Sequence, residues 1–344
     1  MQDNTYLNWV LTNTKTSWWH DSADVDELAF ALGHGAVGVT CNPYLSNLVI
    51  AKCRPKGDQE IEAVIAKGLP AEEKAEALMR IAVTRCCNML LPEYQRTGGA
   101  TGYVCAQVNP ARTGDRKAML EMARRFHNWA PNIAVKLPGA AAGLDVEEDC
   151  IAEGITTTLT VSFTVPQVLA IAERHRKGVA RAKAKGIKPG RCYSVIMIGR
   201  LDDYLREVAH DTQAGVSESD IRWSGLACTK RAYKLYQERG YESELLVAAL
   251  RGPYHLTELA GANLIMSIAP GPQVWFVKDD HPREARIDRE VPADAIERLS
   301  KMPEFVKAYE PDGMSPLEFI GYGVTQRTLS FFADTGWKPL EGYK

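Results

Sequence analysis

Residues 132–142 read NIAVKLPGAAA, and the stretch holds both a fold assignment and an anomaly. Ile133, Ala134, Val135 and Leu137 make a short, almost unbroken apolar run closed by Pro138-Gly139, the pattern of a strand buried on both faces. Strands of that kind belong to parallel sheets covered by helices. The anomaly is Lys136, because an ammonium group in a buried strand is uncommon unless something there pairs with it or uses it.

Working outward, the same unit recurs along the chain. Runs that read as strands are TSWWHD (16–21), AVGVT (36–40), GYVCAQV (102–108), NIAVKL (132–137), ITTTLTV (155–161), CYSVIMIG (192–199), ELLVAAL (244–250) and NLIMSIA (263–269). Between them lie amphipathic stretches of helical length at 24–35, 114–130, 165–186 and 218–240, the last with apolar residues at spacings of three and four. Asp or Ser before these stretches supplies N-caps, and Gly after them C-caps. Eight alternations over about 250 residues predict an α/β fold, a closed (β/α)8 TIM barrel, in preference to an open doubly wound sheet. No GxGxxG follows an early strand, so the dinucleotide-binding alternative lacks its fingerprint. Two segments exceed a minimal barrel: an insertion at about 43–100, expected to hold two or three helices, and a helical C-terminal extension at about 271–344. No low-complexity linker divides the chain, so 1–344 reads as one elaborated domain.

The 344 residues are 45% hydrophobic and 24% charged, and the formal charge of −2 gives no field favouring nucleic acid or anionic membrane. The basic stretch Arg174–Arg191 has no interleaved aromatic residues and reads as a solvated helix end, on the barrel face opposite the usual active site. The eight cysteines show no CxxC and no framework spacing, which predicts reduced thiols and no metal site. The first residues lack the pattern of a signal peptide, and no run of 18 apolar residues occurs. A cytoplasmic protein with a small-molecule ligand, and with neither nucleic-acid nor membrane partner, is the expectation.

Barrel sites are assembled at the C-terminal ends of the strands. Reading those ends gives Asp21, Thr40 with Asn42, Gln107 with Asn109, Lys136, Thr158 with Thr160, Arg200, Arg251 and Ser267. Desolvation, helped by Arg200 and Arg251, is expected to lower the lysine pKa from about 10.4. A neutral lysine can attack a ketone, and the protonated imine then serves as an electron sink for breaking the neighbouring carbon–carbon bond. The residues alone leave open a structural lysine paired with a carboxylate. Asp24 is better placed than Asp21 to cap the helix after the first strand, which frees Asp21 for acid/base work. His20 should point away from Asp21. Asn42-Pro43 is turn punctuation by default. The two arginines suit phosphate, sulfonate or carboxylate equally well.

These segments, in this order, resemble the transaldolase family, which includes the fructose-6-phosphate aldolases. HDSAD (20–24) resembles its first-strand segment, GVTCNPYL (38–45) its Thr-Thr-Asn-Pro signature, and VCAQV (104–108) its third strand. NIAVKLPGAAAGL (132–144) resembles the fourth strand and GITTTLTVSFTVPQ (154–167) the fifth, with IGR (198–200) and AALR (248–251) looser. The likeness runs from roughly residue 15 to 270. It implies that Lys136 is the Schiff-base lysine, Asp21 the proton shuttle, and Thr160 the holder of a catalytic water. It further implies that Thr40 and Asn42 hydrogen-bond the substrate, with Arg200 and Arg251 on its phosphate.

The chain also departs from the pattern. Gln107 stands where transaldolases carry a glutamate, a glutamine the fructose-6-phosphate aldolases share. Thr158 replaces an asparagine, Ala249 a serine that supports phosphate binding, and Ile196 or Met197 the tyrosine of the aldolases. The resemblance implies a cofactor-free, metal-independent class I enzyme of sugar-phosphate metabolism. Such an enzyme takes a sugar phosphate or similar anionic ketose and transfers a dihydroxyacetone unit to an aldehyde. Two alternatives stay open: an aldolase that releases dihydroxyacetone or acts on a non-standard substrate, and a sugar-phosphate-binding barrel without turnover. A homo-oligomer is compatible with every version.

Overall fold

A computed structural model describes residues 5–344. Eight parallel strands close in sequence order into a barrel: β1 (Ser17–Asp21), β2 (Val39–Thr40), β3 (Val104–Gln107), β4 (Ile133–Pro138), β5 (Thr157–Thr160), β6 (Cys192–Met197), β7 (Glu244–Ala248) and β8 (Ile265–Ile268). All eight fall on runs that the sequence marks as strands. Helix α1 (Tyr6–Asn13) precedes β1, and α2 (Val25–Gly33) follows it. The insertion after β2 holds α3 (Pro43–Cys53), α4 (Gln59–Ala66) and the long α5 (Ala71–Arg96). Around the rest of the barrel run α6 (Arg116–His127), α7 (Ala141–Ala152), α8 (Val165–Ala184), α9 (Ile198–Thr212), α10 (Glu218–Arg239) and the short α11 (Pro253–Thr257). The extension contributes α12 (Pro270–Lys278), α13 (Ala293–Leu299), α14 (Pro303–Tyr309), α15 (Gly323–Phe332) and α16 (Lys338–Gly342).

The barrel is packed, not hollow, at its N-terminal end. Trp19 from β1 meets Tyr193 from β6 at 4.7 Å between ring centroids, and Tyr103 joins them at 5.9 Å from Tyr193. Gly38, just before β2, makes room for this floor: a Cβ there would lie 2.4 Å from the Trp19 ring. Burying each such ring contributes about 1.5–3 kcal/mol. Large aromatics fill this floor, while a cavity opens at the C-terminal mouth.

Two expectations need adjusting. The run 192–199 is not all strand: β6 stops at Met197, and α9 begins at Ile198, so Arg200 sits in a first helical turn and not at a strand tip. Apolar residues at 198, 201 and 205, all buried, carry the helical period that overrides the β-branched look of the run. The basic stretch is less solvated than its composition suggests. Arg174 pairs with Asp145 at 2.9 Å and Arg181 with Asp149 at 2.9 Å, so α8 is riveted to the acidic face of α7.

Candidate active site

Alternation along β1 sends neighbouring side chains to opposite faces. His20 points outward and is fully buried, its Nδ1 lying 2.8 Å from Gln273 Nε2 on α12. Burial lowers its pKa to about 4, so it stays neutral and structural. Asp24 caps α2, accepting the Asp26 N–H at 2.9 Å. Asp21 therefore faces the barrel interior free of capping duty. In register beside it, Thr40 donates its hydroxyl to Asp21 Oδ1 at 2.7 Å. Ser267 Oγ lies 2.6 Å from the Thr40 oxygen. Since Thr40 has spent its single proton on Asp21, Ser267 is the donor in that second contact. Enclosure by protein pushes the Asp21 carboxyl above its ordinary value, against the opposing pulls of Lys136, the Thr40 hydrogen bond and Arg200.

Lys136 comes from β4 and is 5% exposed. Its ammonium donates to the Cys41 carbonyl at 3.3 Å, and among the described residues no carboxylate pairs with it. The structural lysine held by an ion pair is thus absent there. Gln107 and Thr158 flank Lys136 in register on β3 and β5. Both are buried beside it and neither lines the cavity: Thr158 receives the Cys105 thiol at 3.4 Å, and Gln107 Oε1 has no partner among the described residues. An acceptor left without a donor in so dry a place costs about 1–3 kcal/mol unless water or ligand supplies one.

The mouth encloses a cavity of about 220 Å³, lined by Asp21, Thr40, Lys136, Thr160, Arg200 and Ser267 among others. Thr160 is 1% exposed and its hydroxyl lies 3.8 Å from Met197 Sδ. Of the two residues considered for the sixth strand, Met197 lines this cavity while Ile196 does not. Asn42 caps α3 by accepting the Leu45 N–H at 3.0 Å, and it also lines the cavity. Strain collects at the rim. Val161 and Ala249 hold positive φ of 54° and 64°, conformations that cost of order 1–3 kcal/mol in residues other than glycine.

The two arginines differ. Arg200 carries no ion pair among the described residues and is flanked by Phe331 and Phe332, 4.8 and 5.5 Å from their ring centroids. Arg251 is already in an ion pair, held by Asp203 at 2.7 Å. Phe331, Phe332, Tyr44 and Asp203 went unnoticed in the sequence. The FF pair at 331–332 reaches the cavity from the C-terminal extension, and only the return of α15 over the barrel mouth brings it there.

The class that fold and site define is a (β/α)8 barrel with a lysine-centred polar site at the C-terminal ends of its strands. The sequence model of the transaldolase/fructose-6-phosphate aldolase family matches residues 18–312, and the chain belongs to that family. It is 29% identical over 216 residues to the transaldolase of Neisseria gonorrhoeae, covering 62% of this chain and 59% of that one. It is 32% identical over 154 residues to transaldolase 2 of Nostoc sp., covering 44% and 40% respectively. The matched stretch thus spans less than two thirds of the length of these relatives. No helix among the described residues is long and apolar enough to cross a membrane.

Proposed function

We propose that the chain is a transaldolase-like transferase in which Lys136 forms a Schiff base with the ketone of an anionic ketose. The observation that carries this reading is the Lys136 amine, buried in the fourth strand, unpaired with any carboxylate among the described residues, and opening onto the same cavity as Asp21. Attack of the neutral amine on the ketone, with one proton taken up from solvent, expels water and leaves an iminium. Asp21 takes the proton of the hydroxyl on the far carbon as the adjacent carbon–carbon bond breaks. The bonding pair moves into the iminium, giving an enamine, and an aldehyde departs. An incoming aldehyde reverses these steps, with Asp21 returning the proton, and hydrolysis then frees Lys136.

A base whose pKa lies above the ordinary carboxylate range suits proton transfer near neutral pH, which is the direction burial gives Asp21. Thr40 holds that carboxylate in place and Ser267 holds Thr40. In this reading Asn42 offers its amide N–H groups to a substrate hydroxyl, Thr158 stands beside Lys136 in register, and Thr160 and Gln107 orient the water of imine hydrolysis. Arg200, with Arg251 behind it, receives the anionic end. Transfer needs neither metal nor cofactor.

The aldolase outcome, in which the enamine is protonated and dihydroxyacetone leaves, is favoured by one residue. Gln107 carries an amide where a carboxylate would activate water, and its Oε1 is an unfilled acceptor. Borohydride reduction in the presence of a ketose donor, followed by intact mass and peptide mapping, tests the shared chemistry. The expected product carries one dihydroxyacetone unit, less water and plus two hydrogens, on Lys136. Aldehyde release without an acceptor, together with free dihydroxyacetone, marks the lyase; dependence on acceptor marks the transferase.

A further inference from the structure

The distal end of the cavity holds two arginines in different states of commitment. Arg251 directs Nε and Nη2 at Asp203 Oδ2, at 2.9 and 2.7 Å. Its Nη1 reaches the carbonyls of Ala249 and Leu250, at 3.0 and 3.4 Å. Exposed ion pairs are commonly loose, but here two backbone carbonyls hold the Arg251 guanidinium and Arg206 holds the other oxygen of Asp203. Gly199, in the first turn of α9, is the reason Arg251 can lie there: a Cβ would stand 2.5 Å from Arg251 Cγ and 2.1 Å from the Ala249 oxygen. Ala249 itself sits in the left-handed region. The Arg251 backbone N–H donates to His255 Nδ1 at 3.1 Å, and the fully buried ring turns Nε2 to Asp202 Oδ2 at 2.9 Å. Asp202 in turn accepts from the Ser224 hydroxyl and the Gly225 N–H, both at 2.8 Å. Because Nδ1 accepts, the ring proton sits on Nε2.

Charge follows from this geometry. Arg206 also touches Asp203, at 3.0 Å, but it pairs in turn with Glu218, which Arg222 approaches at 3.7 Å, and none of these three lines the cavity. Arg200 and Arg251 against Asp203 therefore leave one positive charge for a ligand, and it resides on Arg200 between two phenyl rings. Ala249 adds no side-chain donor. A phosphate monoester carries about −1.5 to −2 at neutral pH. The cost of stripping water from an ion grows steeply with its charge, and a single guanidinium, weakly hydrated and flanked by apolar faces, matches one negative charge.

We propose that this distal subsite selects a ketose whose end group is a singly charged oxyanion, a sulfonate or carboxylate, over a phosphate dianion. Asp203 is the positioning residue that sets the choice by occupying Arg251. The inference rests on the reading of this cavity as the ketose site. Lys136→Met protein, which binds without reacting, is titrated calorimetrically with fructose 6-phosphate and with its 6-sulfonate and 6-carboxylate counterparts. The account expects the better monoanion to bind about tenfold more tightly than the phosphate, the value of one charge-assisted hydrogen bond. In Asp203→Asn, which keeps the side chain's shape and releases Arg251, phosphate rises to parity or better, and Asp203→Glu restores the original order. A merely structural Asp203 would weaken all ligands alike and leave the ratio unmoved. Phosphate binding as tightly as the monoanions with Asp203 present, an unmoved ratio in Asp203→Asn, or no binding by any of the three overturns the proposal. Loss of the borohydride-trapped adduct in wild-type protein, with the binding preference intact, refutes the Schiff-base reading alone.

Discussion

Replacing Thr40 by valine removes one hydroxyl from the barrel mouth while keeping the branched shape of the side chain. The hydroxyl is 2% exposed with its residue, donates to Asp21 Oδ1 at 2.7 Å, and accepts from Ser267 at 2.6 Å. A hydrogen bond to a charged group contributes about 1.5–3 kcal/mol, which is a factor of about 10–100 in the balance between ionised and protonated carboxyl. Burial already pushes Asp21 up, and the Thr40 bond is one of the forces holding it down. The acid limb of the rate profile, set by the fraction of Asp21 ionised, therefore moves toward higher pH in Thr40→Val. The assay is the initial rate of aldehyde release from a ketose donor as a function of pH. On the acid side of the limb the rate falls about tenfold or more, and raising the pH recovers most of it. A rate lowered equally at every pH, with the limb unmoved, would refute the coupling and leave Thr40 as a substrate contact only.

Three further outcomes follow from buried groups. Asp21→Asn abolishes cleavage yet raises Tm at neutral pH. A raised carboxyl pKa means that folding favours the protonated form, so the wild-type penalty is absent below the unfolded pKa and grows as pH rises through the folded value; the Tm gain should vanish in acid. Glu147, fully buried on α7 with Oε2 unpartnered, is raised well above its ordinary value by burial. By the same sign, wild type loses stability as pH rises above the ordinary carboxylate range, so urea midpoints of Glu147→Gln should match wild type in acid and exceed it at neutral pH and above. Gly38→Ala drives a methyl to 2.4 Å from the Trp19 ring and should cost about 1–3 kcal/mol in urea unfolding; an unchanged midpoint would show that the barrel floor is looser than its ring contacts indicate.

The barrel was readable because each strand is a short apolar run bounded by turn residues, and the covering helices keep a period near 3.6. The boundary at 197–198 was misjudged because VIMIG looks like strand until Leu201 and Leu205 are counted with Ile198. Asp21, Thr40, Asn42, Lys136, Thr160 and Ser267 were found as strand-end polar residues, and the cavity wall includes all of them. Layering within the barrel was beyond such a reading. Gln107 and Thr158 share the interior face with Lys136, but period-two alternation fixes the face and not the depth. Ion-pair choice was also hidden: Arg251 and Asp203 are 48 positions apart, and only the packing of the β7 exit on α9 joins them. Phe331 and Phe332 sit in an extension whose own pattern says no more than helix, and their contact with Arg200 depends on where that helix returns.

The central claim is that the Lys136 amine bonds covalently to a ketose carbon. Reduction of the wild-type protein with borohydride beside a ketose donor should fix a three-carbon unit on the tryptic peptide containing Lys136, and Lys136→Met should acquire none. An adduct on another lysine, or none with any ketose in protein that still binds the donor, would contradict it.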